Sequence, residues 1–438
     1  MTTTITKVLI KSILKTSNGE NILEEVLELL FAGDLLGAET VLIKFFHSLY
    51  DKTIVLLLEI LSASKEFKAC LKKKGYSLGF KKYSNQKCKV QLSTGTWVFF
   101  KSLYAQQAPK ENKKERSLFH LYFKTINKAS PLYISRATQL SVITPSFSIA
   151  EQVLCGFECK GAAERNRQLC LSTGEVALEN RVGNMLFSGE TLANKRVIIG
   201  IDGGRTRTRD WKENNSSKYG TFDTPWKEPK LLVITTIDDN GKVDKITFPI
   251  YDACFGDDEL FELLEQYLIS LDINQAQGVQ IVGDGAPWIW NRARPMLLKL
   301  GVEDDKITEV LDYYHAVQHL YDLEKYLPEQ ERAKAMKMLK DLLWKGDIVQ
   351  MKEILSKLLP NLESAALKPF EYFEKNKSRM QYDTYRNMKI PIGSGIVESG
   401  IRRVINLRFK CPSSFWNIEN LQPLIYLRAA FGGGDGTI

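Results

Sequence analysis

The sequence predicts an α/β fold: three antiparallel strands, then alternating helices and strands, with an all-α insertion and an N-terminal mainly α region that carries a β-hairpin. Three observations predict it. After residue 195 strand-like runs come first, and helix-period runs alternate with strands afterwards. Residues 328–377 are helix-patterned throughout. Upstream, apolar residues recur at helical spacing except in one stretch around a Gly-containing turn. At 438 residues, 44% hydrophobic and 26% charged, the chain is long enough for two or three domains, and its composition excludes disordered, collagen-like and disulfide-scaffold classes. No apolar run reaches the ~18 residues that a membrane span needs. The N-terminal stretch lacks a continuous apolar h-region. A soluble, cytoplasmic protein without membrane contact is therefore expected. Seven Cys at irregular spacings suit reduced thiols.

The net charge of +8 is unevenly spread: residues 65–128 hold 16 basic and 3 acidic residues. Such a block is either a solvated face or an electrostatic footprint for nucleic acid. Lys72, Lys73, Lys74, Lys81 and Lys82 are its candidates for DNA phosphates.

Residues 20–74 show three apolar groups at helical spacing, around Ile22–Leu30, Val41–Leu49 and Val55–Leu61, with Gly33 and Gly75 as breaks, which predicts a three-helix bundle. Lys89 to Ala105 predicts a hairpin about Ser93–Thr96, with lysines at both ends, and Ala108 to Ser117 a loop. From Pro145 to about Leu192 the pattern is helical, with breaks at Gly161 and Ser172–Gly174, compatible with a helix-turn-helix. Strands are then expected at Arg196–Asp202, Lys230–Ile237, Lys242–Ile250 after the Asp239-Asn240-Gly241 turn, Gly278–Gly283 and Lys306–Leu311. Helices are expected at Asp257–Leu271, Trp288–Leu300 and Tyr314–Tyr326. A final helix runs to Phe409 with Ser394 as its N-cap. The implied domains are 1–80, helical; 81–190, hairpin and helical DNA-binding or linker region; 191–327, first part of the α/β core; 328–389, helical insertion; and 390–438, second part of the core.

Asp202 ends the first strand, Asp284 follows the fourth, and Glu398 lies early in the last helix. In a sheet of this order the first and fourth strands are neighbours, so both aspartates can converge while a crossing helix delivers the glutamate. Converging carboxylates repel unless cations neutralise them. Hard oxygen donors suit two Mg²⁺ (or Mn²⁺) ions, which would support in-line displacement at phosphorus.

VIIGIDGGRTRTR, VGDGAPWIWN, LDYYHAVQHL and IPIGSGIVESGIRR, in this order, resemble the catalytic domain of bacterial insertion-sequence transposases of the DDE class, over about residues 145–430. The resemblance implies an RNase H-like (retroviral integrase) core with a helical insertion. It implies metal-binding, catalytic acids at Asp202, Asp284 and Glu398, and an Asp-x-x-His signature at Asp312 and His315 as an accessory part of the site. It also implies metal-dependent cleavage at transposon ends and strand transfer into target DNA, with terminal inverted repeats and target DNA as partners, by at least a homodimer on the nucleoid. Arg205, Arg207 and Arg209 after the first Asp, and Arg402, Arg403, Arg408 and Lys410 after the Glu, could hold DNA phosphates or be solvated surface. Relatives often carry a Cys-rich, zinc-like segment after the hairpin; Tyr104 to Lys114 has no Cys.

Each residue also has a plainer reading. Asp202 and Asp284 precede Gly and could cap turns, and Glu398 could pair with Arg402 on one helical face. His315 and His319 share the i, i+4 spacing of a zinc pair without further ligands, so His319 is expected to pack. Cys155, Cys159 and Cys170 read as buried thiols. Trp288 and Trp290 read as core, as does Trp344, which could alternatively stack on a base. Two rival functions remain: a sugar-kinase or actin-like ATPase, because IGIDGGRTRT resembles a phosphate loop, and a DNA-binding derivative without transposition activity.

Overall fold

A computed structural model describes residues 19–107, 115–186, 190–211, 222–243, 249–359, 364–412 and 414–433. The chain forms two compact units, 1–175 and 176–438.

The first unit begins with helices α1 (Gly19–Phe31), α2 (Leu35–Ala63) and α3 (Lys65–Ser77). Three helices are present, but the second and third apolar groups lie on one long α2. No Gly or Pro interrupts 50–56, whereas Ser64 caps α3 by accepting from Phe67 N at 3.2 Å. Leu23, Leu27 and Phe31 of α1 and Leu36 and Phe46 of α2 are exposed, a large apolar surface. Strands β1 (Phe80–Gln91) and β2 (Trp97–Gln107) form the expected hairpin, longer than its alternating stretch, so Lys81 and Lys82 lie on the strand itself. Gly95, at φ +81°, closes the turn. The loop expected at 108–117 lies mostly outside the described residues, and Glu115–Ser117 adds a third strand, β3, to β2. One hairpin face packs Cys88, Val90, Val98 and Phe100 against Phe119. Helices α4 (Leu118–Tyr122), α5 (Pro131–Ile143), α6 (Phe147–Gly156) and α7 (Ala163–Leu178) follow. The break expected at Ser172–Gly174 is absent: Thr173 Oγ1 donates to Leu169 O at 2.8 Å and the helix continues. Cys159 and Cys170 are buried as expected, but Cys155 is exposed, and none of the seven cysteines forms a disulfide.

The expected boundary near residue 190 falls inside the second unit. Arg181, in α8 (Arg181–Met185), reaches the buried Asp252, with Nε donating to Oδ2 at 2.8 Å and Nη2 to Oδ1 at 2.6 Å, and this ties the segment to the sheet. That sheet has strands β4 (Arg196–Gly203), β5 (Lys230–Ile237), β6 (Ile250–Cys254), β7 (Gly278–Gly283) and β8 (Ile307–Leu311), in the order β6-β5-β4-β7-β8. The β6–β5 and β5–β4 pairs are antiparallel; β4–β7 and β7–β8 are parallel. The strand expected at 242–250 is seated later, at Ile250–Cys254. Gly241, at φ +77°, makes the turn, and Val243 forms only an isolated bridge with Ile237; residues 244–248 lie outside the described ones.

β4 and β5 are buried almost throughout, as strands covered on both faces must be. Helices α9 (Asp257–Ser270), α10 (Pro287–Trp290), α11 (Ala293–Lys299) and α12 (Tyr313–Glu324) alternate with the strands. The single helix expected at 288–300 is broken at Asn291–Arg292. The helical insertion comprises α13 (Arg332–Lys345), α14 (Ile348–Leu358), α15 (Ser364–Asn376) and α16 (Tyr382–Asn387), with Gly346, at φ +72°, ending α13; the expected break at Pro360 lies outside the described residues. Then comes α17 (Gly395–Gly400), which continues as a π-helical segment, Ile401–Asn406, and a last turn, Leu407–Phe409. It is not the final helix: α18 (Ile418–Gly433) packs on β6. The Gly432–Gly436 tail lies largely outside the described residues. Among the described residues no helix is long and apolar enough to cross a membrane.

Candidate active site

Parallel pairing fixes where the first two carboxylates stand. Val282 of β7 is level with Gly200 of β4, so two residues further on Asp284 is level with Asp202 at the same sheet end. Each is anchored by its own turn. Gly203 N donates to Asp202 Oδ1 at 2.6 Å, Ala286 N donates to Asp284 Oδ1 at 2.9 Å, and Trp290 Nε1 donates to the Asp284 carbonyl at 2.8 Å.

Glu398 arrives on α17, which lies close against the sheet because two glycines face it. A Cβ on Gly200 would stand 3.1 Å from Val397 Cβ, and one on Gly400 would stand 2.7 Å from Leu231 Cδ2. Ser394 precedes α17, but its hydroxyl makes no capping bond; it donates instead to Glu398 Oε1 at 3.3 Å. The Ser394 N–H is taken by Asp312 Oδ2, while Asp312 Oδ1 accepts from His315 N at 2.7 Å. Asp312 is fully buried. It therefore caps α12 and braces the turn before Glu398. Among the described residues Glu398 forms no ion pair with Arg402.

The electrostatics of Asp202 link these groups. Burial pushes its carboxyl up to about 6; the Gly203 N–H opposes this, Asp284 adds to it, His315 opposes it and Glu398 adds to it. Asp284, Glu398 and the His315 imidazole thus all lie within electrostatic reach of Asp202. The carboxylates do not close on one point: among the described residues no group of three or more His, Cys, Asp or Glu stands close enough to hold a metal ion.

Sequence reasoning missed Tyr372. This residue of α15 fills the space beside Gly285, where a Cβ would meet its ring at 2.2 Å. Among the described residues its hydroxyl is buried without a hydrogen-bond partner, and burial pushes its pKa up, as do Asp284 and Asp312. His319 packs, as expected, with its ring 3.9 Å from that of Tyr372. A glycine directly after a strand-end acid was the available signal. Trp290 is buried as expected, whereas Trp288, edge-on to Phe261, and Trp344, edge-on to Tyr313, are only half-buried.

The basic residues divide. Arg205, Arg207, Arg402, Arg403 and Lys410 are exposed, and Arg209 is half-buried with its guanidinium 5.1 Å from the Phe222 ring. Arg408 was expected to face DNA, but it is only 3% exposed and lies over Trp416 at 5.2 Å, because the π segment turns it inward. Lys72, Lys73, Lys74, Lys81 and Lys82 are exposed on α3 and β1 of the first unit. The loop after β4 suits phosphate poorly. Gly203 N is taken by Asp202, Gly204 N donates to Pro229 O at 2.8 Å, and Ile405 packs where a Cβ on Gly204 would stand.

No protein-family model matches the chain, and no curated protein matches it. Among solved structures it is similar to one described as the Drosophila P element transposase strand transfer complex, at 13% identity over 70% of this chain and 79% of that one. The TM-score is 0.28, too low for that likeness to carry any argument.

Proposed function

We propose that this protein is a DNA transposase of the DDE class, with an RNase H-like core that uses Asp202, Asp284 and Glu398 as its catalytic, metal-binding acids. The observation that carries the reading is the position of Asp202 and Asp284, level at one end of adjacent parallel strands with Glu398 brought over the sheet on α17, so that both neighbours add to the rise that burial gives Asp202. Partly buried like charges are costly unless a cation offsets them. An all-carboxylate donor set fits Mg²⁺ or Mn²⁺ rather than zinc, and a spread set fits two ions that share their shells with phosphate oxygens and water. When bound, such ions supply water activation and stabilise the leaving oxygen.

The chain's own residues hold the reactants. Asp202 and Asp284 are fixed by strand-end turns, Glu398 is oriented by Ser394, and Asp312 braces that turn. Arg205, Arg207, Arg402 and Arg403 bind the backbone of the strand being cut. Water attacks a phosphodiester at the transposon end and a 3′-hydroxyl leaves. That hydroxyl then attacks a target phosphodiester, one P–O bond forming as another breaks, so no covalent protein intermediate is needed. Two ends must be joined, so the active unit is at least a dimer; the exposed apolar residues of α1 and α2 suit self-association.

Asp202→Asn, Asp284→Asn and Glu398→Gln are each expected to abolish Mg²⁺-dependent nicking of DNA flanking the gene while leaving binding to that DNA intact. Wild-type cleavage by any of the three would overturn the assignment. Tight ATP binding without DNA affinity would move it to the phosphate-loop reading, and wild-type binding without cleavage to an inactive derivative.

A further inference from the structure

The outward face of the β1–β2 hairpin combines charge and aromatic surface in a way that the acid site does not use. Pairing sets Lys87 opposite Lys101 and Lys89 opposite Phe99. Because alternate residues point into the core, these four share the other face, and all are exposed. Like charges directly opposite each other on neighbouring strands destabilise a sheet. None of the ion pairs among the described residues involves Lys68, Lys87, Lys89 or Lys101. Phe99 is 48% exposed, with the Lys87 ammonium 4.5 Å from its centroid. Beside it lies a cavity of about 540 Å³ whose lining includes Lys68, Asn85, Lys87, Phe99 and Lys101, with Glu59 as its acid.

We infer that this face binds single-stranded nucleic acid, with an unstacked base on Phe99 and the flanking phosphates on Lys68, Lys87 and Lys101. The unneutralised lysines call for a polyanion, and the exposed ring gives that polyanion something to stack. An acidic peptide would satisfy the charge but leave the ring unused. The long stem of Lys87 lets its ammonium move to a phosphate as a base takes the ring face. The inference stands apart from the transposase reading, since it involves neither the acids nor cleavage.

The test uses the full chain carrying Asp202→Asn, in EDTA, with a fluorescein-labelled 12-nucleotide mixed-sequence strand and the matching duplex, read by anisotropy. Phe99→Ala is expected to weaken single-strand binding about tenfold, with less than a twofold change for duplex, and Phe99→Trp to retain it. Lys87→Gln with Lys101→Gln is expected to weaken single-strand binding and reduce the slope of log affinity against log salt by about 1.4. Unchanged melting temperatures establish that these surface variants fold. The proposal is overturned if Phe99→Ala binds the strand as wild type does, if it weakens strand and duplex equally, or if a poly-glutamate peptide competes as well as unlabelled oligonucleotide.

Discussion

Asp202 is the most informative single residue, because its ionisation is linked to stability and, in the proposed function, to cation binding. Its carboxyl lies at about 6 in the fold against 3.8 for the free side chain. A group raised in this way holds a proton that the unfolded chain releases. Its stabilising contribution is complete below about pH 4 and is lost as pH rises through about 6. In metal-free protein, Asp202→Asn should therefore be more stable than wild type at pH 7.5, by an amount of order 2 kcal/mol, and should gain nothing at pH 4. Urea titrations at the two pH values measure this, and equal stability at pH 7.5 would refute the burial and repulsion assigned to Asp202. Binding a cation requires the carboxylate form, so Mg²⁺ should stabilise wild type above pH 6 and have little effect on the variant.

At the scale of elements, the distance between helix α17 and the sheet decides whether Glu398 reaches the aspartates. Gly400 permits that approach: an added methyl would lie 2.7 Å from Leu231 Cδ2 and 2.8 Å from Tyr251 Cε1. Gly400→Ala should cost about 1–3 kcal/mol through overpacking. It should also depress Mg²⁺-dependent nicking more than tenfold, with DNA affinity unchanged; nicking at the wild-type rate would show that α17 does not need this close seat. The strands of this core were legible because β4, β5, β7 and β8 are runs of β-branched and Leu residues bounded by turn formers. That Asp202 and Asp284 end neighbouring strands follows from strand order, and the register of Val282 with Gly200 then sets them level. Local pattern cannot report what depends on distant partners. β6 is held by Asp252 bonding to Arg181, 71 positions away, and the inward turn of Arg408 follows from a π segment that no residue type marks. Tyr372 comes to Gly285 from an insertion whose docking no periodicity encodes. Gly200, in the middle of an apolar strand, was a readable sign of close backbone approach.

On the scale of the whole molecule, the basic excess and the candidate acids reside in different units. Residues 1–175 carry 25 basic and 15 acidic residues, and residues 176–438 carry 35 and 37. In the proposed function the long-range attraction for DNA therefore falls to the first unit, and the candidate acids lie in the second. Lys72, Lys73 and Lys74 stand exposed in the C-terminal half of α3, where cations also suit the helix dipole. Each phosphate contact releases counterions and contributes about 0.9 to the salt slope for duplex DNA. The triple substitution of these lysines to Gln should therefore lower the slope by up to about 2.7 and weaken binding by at least tenfold at 0.15 M salt. Lysines that bind DNA without touching the reacting phosphate affect capture alone. Single-turnover cleavage at protein concentrations that saturate the DNA should thus proceed at the wild-type rate, whereas Asp284→Asn should show the opposite pattern of full affinity and no product. If the lysine variant cleaves slowly even when saturated, α3 contributes to the chemical step and the separation of binding from cleavage fails.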